Sequence, residues 1–528
     1  MLDVKITNAT VVDGTGNQPF VANLGIANGR IVQIGTELPQ AHIEISAADK
    51  VIAPGFIDMH SHSDLRLLDS PAPQAKISQG ITTELLGQDG LGTAPVNSET
   101  LPQLQQLTAG LLGSRPIRKW RWRSFSDYLA VLHDCSLPNN QAVLISHGPV
   151  RLAAMGNIDR PPNKEEMKQI RSLVAGAMEA GAFGFSTGLI YPPGSFAKKD
   201  ELTAIAETVA LYDGVFVIHL RDEGYNLPSA LEEAIEVCRV SGCHLHISHL
   251  QAYGEVNWHH LPGVLERISE ARSSEVPTTC DRYPYLAGST VLSAVLPAWV
   301  LDGGPQAAIN RLADEKQRKA IHEAFEEGLE VWHNRSISVG WENIMISWVK
   351  SHENTPLIGK SIAQISEDEG KNPIDVVCDL LLEEELEVTM ISHYGSEDNL
   401  KRIYRHPASV VATDGIYGGR PHPRLWGTFP RFFSRYIRDK GLINLPEAVQ
   451  KTSSFPADIL GLSDRGRIET GKYADLVIFD FENIADKATY ENPEQTSKGI
   501  DWVLVNGQPA FTPETATHKL PGQILRRI

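Results

Sequence analysis

Apolar and polar positions alternate with period two at both ends of the chain. Val4-Lys-Ile-Thr-Asn-Ala-Thr-Val-Val alternates and is turned by Asp13-Gly, while Leu24-Gly-Ile-Ala-Asn-Gly-Arg-Ile-Val-Gln-Ile-Gly carries an Asn-Gly hairpin signal. Ala474-Asp-Leu-Val-Ile-Phe-Asp and Trp502-Val-Leu-Val-Asn-Gly-Gln-Pro-Ala repeat this style at the far end, the second with another Asn-Gly turn. Chain termini commonly lie close together, so the two strand-rich ends predict one small shared sheet domain.

The middle has another rhythm. Short apolar runs are Val51-Ile-Ala-Pro-Gly-Phe-Ile-Asp, Ile81-Thr-Thr-Glu-Leu-Leu, Ala142-Val-Leu-Ile-Ser, Phe183-Gly-Phe-Ser, Val215-Phe-Val-Ile and Leu245-His-Ile-Ser. Thr278 to Tyr283, Ile344-Met-Ile-Ser, Thr389-Met-Ile-Ser and Val410-Val-Ala-Thr continue the series. Helical patterns lie between several of them, such as Lys164 to Gly181 and Leu227 to Ser241. Strands alternating with helices predict βα units and a parallel sheet. The rhythm alone leaves a closed barrel and an open sheet both standing.

Polar residues recur just after these runs: His60 and His62, Gln88 and Asp89, His147, Tyr191, His219, His249 and Asp414. In a (β/α)8 barrel the C-terminal strand ends share one face, where active sites lie. Such a spread is what a barrel-mouth metal site looks like in sequence. His60-x-His62 places two imidazoles on one side of an extended segment, which suits zinc or another borderline divalent ion. With 18 histidines some HxH pairs arise by chance. His244-Leu-His246 opens its strand instead of ending it and reads as structural. Asp414, in Ala412-Thr-Asp-Gly, is a turn residue in its plainer reading and a general base in its sharper one.

Composition narrows the class. At 528 residues the chain suggests a large domain plus a smaller one. Its 42% hydrophobic and 21% charged residues are those of an ordinary globular protein. A net charge of -17 opposes a phosphate-binding surface, so no nucleic-acid partner is expected. No apolar run reaches the roughly 20 residues of a membrane helix, and the N-terminus lacks a signal-peptide pattern. Five scattered cysteines without a CxxC predict a reduced, cytoplasmic setting.

Gly55-Phe-Ile-Asp-Met-His-Ser-His-Ser-Asp resembles the signature of the amidohydrolase superfamily. More narrowly, the chain resembles the D-aminoacylase (N-acyl-D-amino-acid deacylase) family. The matching stretches are Gly181-Ala-Phe-Gly-Phe-Ser-Thr-Gly-Leu-Ile-Tyr-Pro-Pro-Gly, His219-Leu-Arg-Asp-Glu, Ile247-Ser-His-Leu, Tyr283-Pro-Tyr and Thr413-Asp-Gly. They continue with His422-Pro-Arg-Leu-Trp-Gly-Thr-Phe-Pro-Arg, Asp464-Arg-Gly and Gly471-Lys-Tyr-Ala-Asp-Leu-Val-Ile-Phe-Asp, in family order over nearly the whole chain.

The resemblance implies an α/β fold: a (β/α)8 TIM barrel over 55–463, with a small β-sandwich-like domain built from 1–54 and 464–528. It implies one or two zinc ions, or another divalent metal, held by His60, His62, His219 and His249, with Asp414 as catalytic acid/base. Tyr191, Tyr283, Ser289 and Arg424 fall on substrate-contacting positions, and Tyr191 is placed to donate to a developing oxyanion. Two departures stand out. Asp89, in Gly87-Gln-Asp-Gly90, occupies the position of the family's metal-binding Cys, with Glu84 as a second candidate for that role. A carboxylate is a harder ligand than a thiolate, which bears on metal preference and number. Gln251 stands where the family frequently has Lys.

Hydrolysis of the amide bond of an N-acyl-D-amino acid is therefore expected, with a small-molecule substrate and an undetermined oligomeric state. A cyclic amidase of the dihydroorotase or hydantoinase kind shares the first histidine pair but not the Ser-Thr-Gly-Leu-Ile-Tyr or His-Pro-Arg stretches. A non-catalytic binding protein on a decayed barrel fits poorly with intact ligand positions. Arg115-Pro-Ile-Arg-Lys-Trp-Arg-Trp-Arg interleaves bases and aromatics; against the net charge it reads as a cationic surface segment near the barrel mouth that steers an anionic substrate.

Overall fold

The structure, a computed structural model, describes residues 1–69, 73–113, 115–274, 276–329, 331–512 and 520–527. Eight parallel strands form the central barrel: β1 (Phe56–Asp58), β2 (Ile81–Leu86), β3 (Asn140–Val143, resumed at Ile145–Ser146), β4 (Gly184–Gly188), β5 (Val215–His219), β6 (His244–Ile247), β7 (Thr278–Arg282) and β8 (Ser409–Val411). Neighbours pair in that order. The ring closes where Ser61 bridges Gly415 and the Asp414 amide donates to the His60 carbonyl at 2.8 Å. The barrel expectation and its TIM-like topology are met.

Local chemistry explains the helices between them. The helix Lys164–Glu179 starts at a capping box in which the Asn163 side chain accepts from Glu166 and the Glu166 side chain accepts from Asn163. Leu227–Ser241 has Pro in its first turn and ends on Gly242 at φ 75.

Both chain ends supply one eight-stranded sheet. Leu2–Val11 pairs with Phe20–Ala27, Ala41–Ser46 and Val51–Pro54, and the last of these pairs with Leu476–Phe479 from the C-terminal end. Successive strand residues face opposite sides. Leu476 and Ile478 accordingly enter a core with Ile6, Leu24 and Ile52, whereas Val477 and Phe479 pack with Phe56, Phe429 and Phe433 toward the barrel. The Asn28-Gly29 and Asn506-Gly507 hairpins form as expected, each with both turn residues at positive φ.

Two local readings change. Val51–Asp58 looks continuous in the sequence, but it divides at Gly55 between the small sheet and β1. A Cβ at Gly55 would lie 2.2 Å from the Thr82 hydroxyl, so glycine permits this close crossing. The Ile344 and Thr389 runs are not barrel strands. They lie in Ile344–Val349 and Val388–His393, which join Ala287–Val291 in a three-stranded antiparallel sheet inserted between β7 and β8. Apolar patterning marks a buried strand but carries no strand direction.

Candidate metal centre

The C-terminal ends of five barrel strands deliver one buried cluster. His60 and His62 follow β1, Asp89 follows β2, His219 ends β5, His249 follows β6 and Asp414 follows β8. The ligand atoms of His60, His62, Asp89 and Asp414 lie within 4.8 Å of one another, as do those of Asp89, His219 and His249. Asp89 joins the two groups through opposite oxygens. Its Oδ2 lies 3.4 Å from His60 Nε2 and 3.6 Å from His62 Nε2; its Oδ1 lies 3.7 Å from His249 Nε2 and 3.9 Å from His219 Nδ1. Asp414 Oδ1 lies 3.2 Å from His62 Nε2.

Three of these residues have left-handed backbone: Asp89 at φ 56, His249 at φ 32 and Asp414 at φ 47. Such conformations cost about 1–3 kcal/mol each in non-glycine residues and persist only where the surroundings hold them. The His249 amide is held by Asp281 Oδ1 at 2.8 Å, and that of Asp414 by the His60 carbonyl.

The donor set fits divalent cations. Among the described residues, both ring nitrogens of His60 and of His219, Nδ1 of His62 and of His249, and Oδ1 of Asp89 have no hydrogen-bond partner. Buried polar atoms are normally satisfied, so this concentration of orphaned lone pairs marks a place for positive charge. Charge tells the same story. Burial pulls the His60 imidazole down, yet the carboxylates of Asp89, Asp414 and Asp281 outweigh it and push it up to about 10. Burial pushes the Asp414 carboxyl up, but Arg424 and then His60 bring it down to about 2.

A second layer of carboxylates stands behind the imidazoles. Asp281 Oδ2 lies 3.5 Å from His60 Nδ1 and 3.0 Å from His246 Nε2. Glu223 lies 3.1 Å from His249 Nδ1 and 3.5 Å from His219 Nε2, and accepts from Gln251 Nε2 at 2.7 Å. Sequence reasoning singled out neither carboxylate. The available signals were a lone Asp inside the buried strand Thr278–Arg282 and a Glu four residues after His219.

A cavity of about 40 Å³ opens onto the cluster, and Tyr191, Tyr283, Ser289 and Arg424 all line it. Tyr191 shares a hydrogen bond with Thr290 Oγ1 at 2.7 Å, and its ring lies 5.4 Å from that of His219. Arg424 Nη1 lies 2.8 Å from Asp414 Oδ2, while Nη2 donates to the Ser289 carbonyl at 3.0 Å. Its guanidinium sits 4.4 Å above the Tyr283 ring, and the Tyr283 hydroxyl meets that of Tyr394.

Other sequence candidates are engaged elsewhere. Glu84 accepts from Ser61 at 2.5 Å, Ser63 at 2.6 Å and Asn139 at 2.9 Å, and belongs to neither ligand group. Gln88 donates to the Met59 carbonyl, and His147 is spent on Thr187 and Glu201. His246 bonds Thr279 and Asp281, the structural role expected of it. In the basic segment Trp120 and Trp122 are buried against each other at 4.8 Å, and the cations Arg118, Lys119, Arg121 and Arg123 are exposed. No helix among the described residues is long and apolar enough to cross a membrane.

Comparison with known proteins agrees with this geometry. The amidohydrolase family model matches residues 44–511. N-acyl-D-glutamate deacylase of Alcaligenes xylosoxydans xylosoxydans is 33% identical over 100% of this chain and 97% of its own length. A crystal structure of N-acyl-D-glutamate deacylase from Bordetella bronchiseptica, complexed with zinc and a phosphonate mimic of the tetrahedral intermediate, superposes with a TM-score of 0.86 at 33% identity, covering 99% of each chain. A D-aminoacylase structure with a binuclear metal centre gives a TM-score of 0.84 at 31% identity over all of both chains. With five strand ends converging on one carboxylate-bridged histidine cluster and full-length likeness to these enzymes, the chain belongs to the amidohydrolase family, in its D-aminoacylase branch.

Proposed function

We propose that the protein hydrolyses the amide bond of N-acyl-D-amino acids, giving a carboxylate and a free D-amino acid. One observation carries this reading: Asp414 stands between the histidine cluster and Arg424, joining a place for metal to a place for a substrate carboxylate. His60, His62, Asp89, His219 and His249 would hold one or two zinc ions, with Asp89 shared between the two groups. Zinc at such a site supplies Lewis acidity toward the amide carbonyl and makes a water more acidic.

The chain's own groups then do the following. Arg424 pairs with the substrate carboxylate, for which its planar fork is suited. Asp414 takes the proton of the attacking water as its oxygen bonds to the carbonyl carbon. Tyr191 donates to the oxyanion that forms. As the C–N bond breaks, Asp414 returns the proton to the leaving nitrogen. The groups that line the cavity are buried, which strengthens each of these interactions. Five unpaired cysteines, four of them buried, support a reduced, cytoplasmic setting.

A panel of N-acetyl D- and L-amino acids, with dihydroorotate and hydantoins as cyclic alternatives, tests the reading in the presence of zinc, cobalt or manganese. Turnover confined to D-configured linear amides is the expected result. Turnover of the cyclic amides alone, or of L-enantiomers equally well, would overturn it.

A further inference from the structure

The cavity over the histidine cluster, at about 40 Å³, has room for a few waters, so an N-acyl amino acid must extend beyond it. It adjoins a pocket of about 830 Å³, and Ile190 and Arg335 line both. A volume of that order suits a small-molecule ligand. The apolar lining of the outer pocket includes Leu189, Ile190, Ala294, Leu296, Val331 and Trp332. The acids that line it are already engaged. Glu233 accepts twice from Arg221 at 2.9 Å, Glu236 accepts from Arg239 at 2.6 Å, and Glu232 is held by Arg267. Asp222 accepts from the Gly224 amide at 2.6 Å and faces His333 at 3.9 Å. With these charges spent on one another, the pocket offers a ligand apolar contact.

The reacting groups set which part of a substrate reaches this pocket. An amide carbonyl carbon bears an oxygen, a nitrogen and the acyl chain. Asp414 serves the nitrogen, and Arg424 beside it takes the amino-acid carboxylate. Tyr191 serves the oxygen. From Asp414 the contacts run through His62, Asp89 and His219 to Glu223, and from there to Arg335 at 4.0 Å. The acyl chain points away from the nitrogen and hence toward the His219 end. The outer pocket begins there. Arg221 and Asp222, which follow His219, line it, as do Leu189 and Ile190, which precede Tyr191. Ile190 and Ala294 also pack against the apolar cluster that contains Tyr191.

We infer that the outer pocket takes the acyl chain, and that the preferred substrates carry a medium-chain fatty acyl group instead of acetyl. This rests on the deacylase reading above. Each methylene moved from water onto the apolar lining strengthens binding of substrate and transition state alike, and so raises kcat/KM. Full burial is worth about fourfold per methylene, and half burial in a pocket with an open side about twofold.

Initial-rate measurements on the zinc-loaded protein test it, with the N-acetyl, N-butyryl, N-hexanoyl and N-octanoyl derivatives of one D-amino acid. From acetyl to octanoyl, kcat/KM should climb by roughly 10- to 100-fold. Octanoate, the acyl product, should inhibit at a concentration lower than acetate by a similar factor. Val331→Asp and Ala298→Asp each set a carboxylate on the pocket at an exposed position, where the fold does not depend on the side chain. At least one of them should lower the octanoyl-to-acetyl ratio by about fivefold or more, because a charge beside an apolar chain is desolvated without compensation. Val331→Leu should keep the ratio. A kcat/KM that stays level or falls with chain length, while the N-acetyl compound is turned over, would overturn the inference and leave the deacylase reading intact. A ratio unmoved by both aspartate variants would also overturn it. Failure to hydrolyse any member would overturn both readings.

Discussion

Arg424 holds Asp414 at 2.8 Å, so the proposed base is paired with the proposed carboxylate anchor. Both are buried, and Arg424 Nε has no partner. A bound substrate carboxylate would therefore compete with Asp414 for one guanidinium. Docking the substrate and freeing the base would be a single event, coupling binding to readiness for chemistry.

Asp414→Asn keeps shape and removes the ability to accept a proton. Turnover should fall by about 10³-fold or more, in the range of a lost general base. At least one ion per chain should remain, because Asp89, His219 and His249 form their group without Asp414. Metal analysis beside steady-state kinetics checks this. Turnover within tenfold of the unaltered protein would remove Asp414 from the role of base.

Arg424→Lys keeps the charge but loses the planar fork. A roughly 10- to 100-fold loss in kcat/KM, mainly through KM, is expected if two parallel hydrogen bonds to the substrate carboxylate are replaced by one. An amide-capped substrate, lacking that carboxylate, should be hydrolysed poorly by both proteins and at similar rates. A large difference between them on the capped substrate would show that Arg424 acts through Asp414 alone.

Asp89 offers one oxygen to each ligand group. Replacing it by sulfur softens the shared ligand and should favour zinc over manganese. Asp89→Cys should retain zinc against chelators at concentrations that strip the unaltered protein, and should be activated less by manganese. Asp89→Asn weakens both groups at once, so zinc content should fall below that of an alanine variant of any one of His60, His62, His219 and His249. A content matching the unaltered protein would mean that Asp89 is not a ligand.

Much of this site is legible in the sequence, for a definite reason. His60, His219, His249 and Asp414 each lie within three residues of a barrel strand end, and strand ends are readable from apolar runs. The Val410 run predicts β8 as surely as the Val215 run predicts β5. Residues reached from other directions are not readable this way. Asp281 lies inside β7, where patterning predicts an apolar contact. Arg335, Ser392 and Tyr394 reach the cavity from the insertion between β7 and β8, whose antiparallel pairing depends on contacts distant in sequence. The division of Val51–Asp58 between two sheets is likewise a matter of tertiary crossing at Gly55, invisible to a period-two pattern.

Asp281 stands behind His60 and anchors the His249 amide, the position of an outer-shell carboxylate that orients metal-binding imidazoles. Asp281→Asn should lower zinc affinity by roughly 10- to 100-fold, the usual effect of such losses. Competition with a chromophoric chelator measures this directly, without reference to turnover. Unchanged zinc affinity with lowered thermal stability would make Asp281 a structural partner of His246 only.

Glu84 gives the opposite contrast. It lies inside β2, two residues before the strand ends at Leu86 and five before Asp89, and its carboxylate is satisfied by Ser61, Ser63 and Asn139, with Lys76 at 3.8 Å. Ser61 and Ser63 alternate with His60 and His62 along the chain, so Glu84 fixes the back of the segment whose front faces the cluster. Glu84→Gln replaces a charged acceptor by a neutral amide that also brings unwanted donors. A destabilisation of about 1–3 kcal/mol is expected, the cost of an imperfectly satisfied buried group. Zinc content at saturation should be unchanged, because no metal-facing atom is lost. Denaturant midpoints and metal analysis on the same preparation separate the two effects. Loss of bound zinc without loss of stability would make Glu84 a ligand after all, and would require the β1 loop to turn its serines away from it.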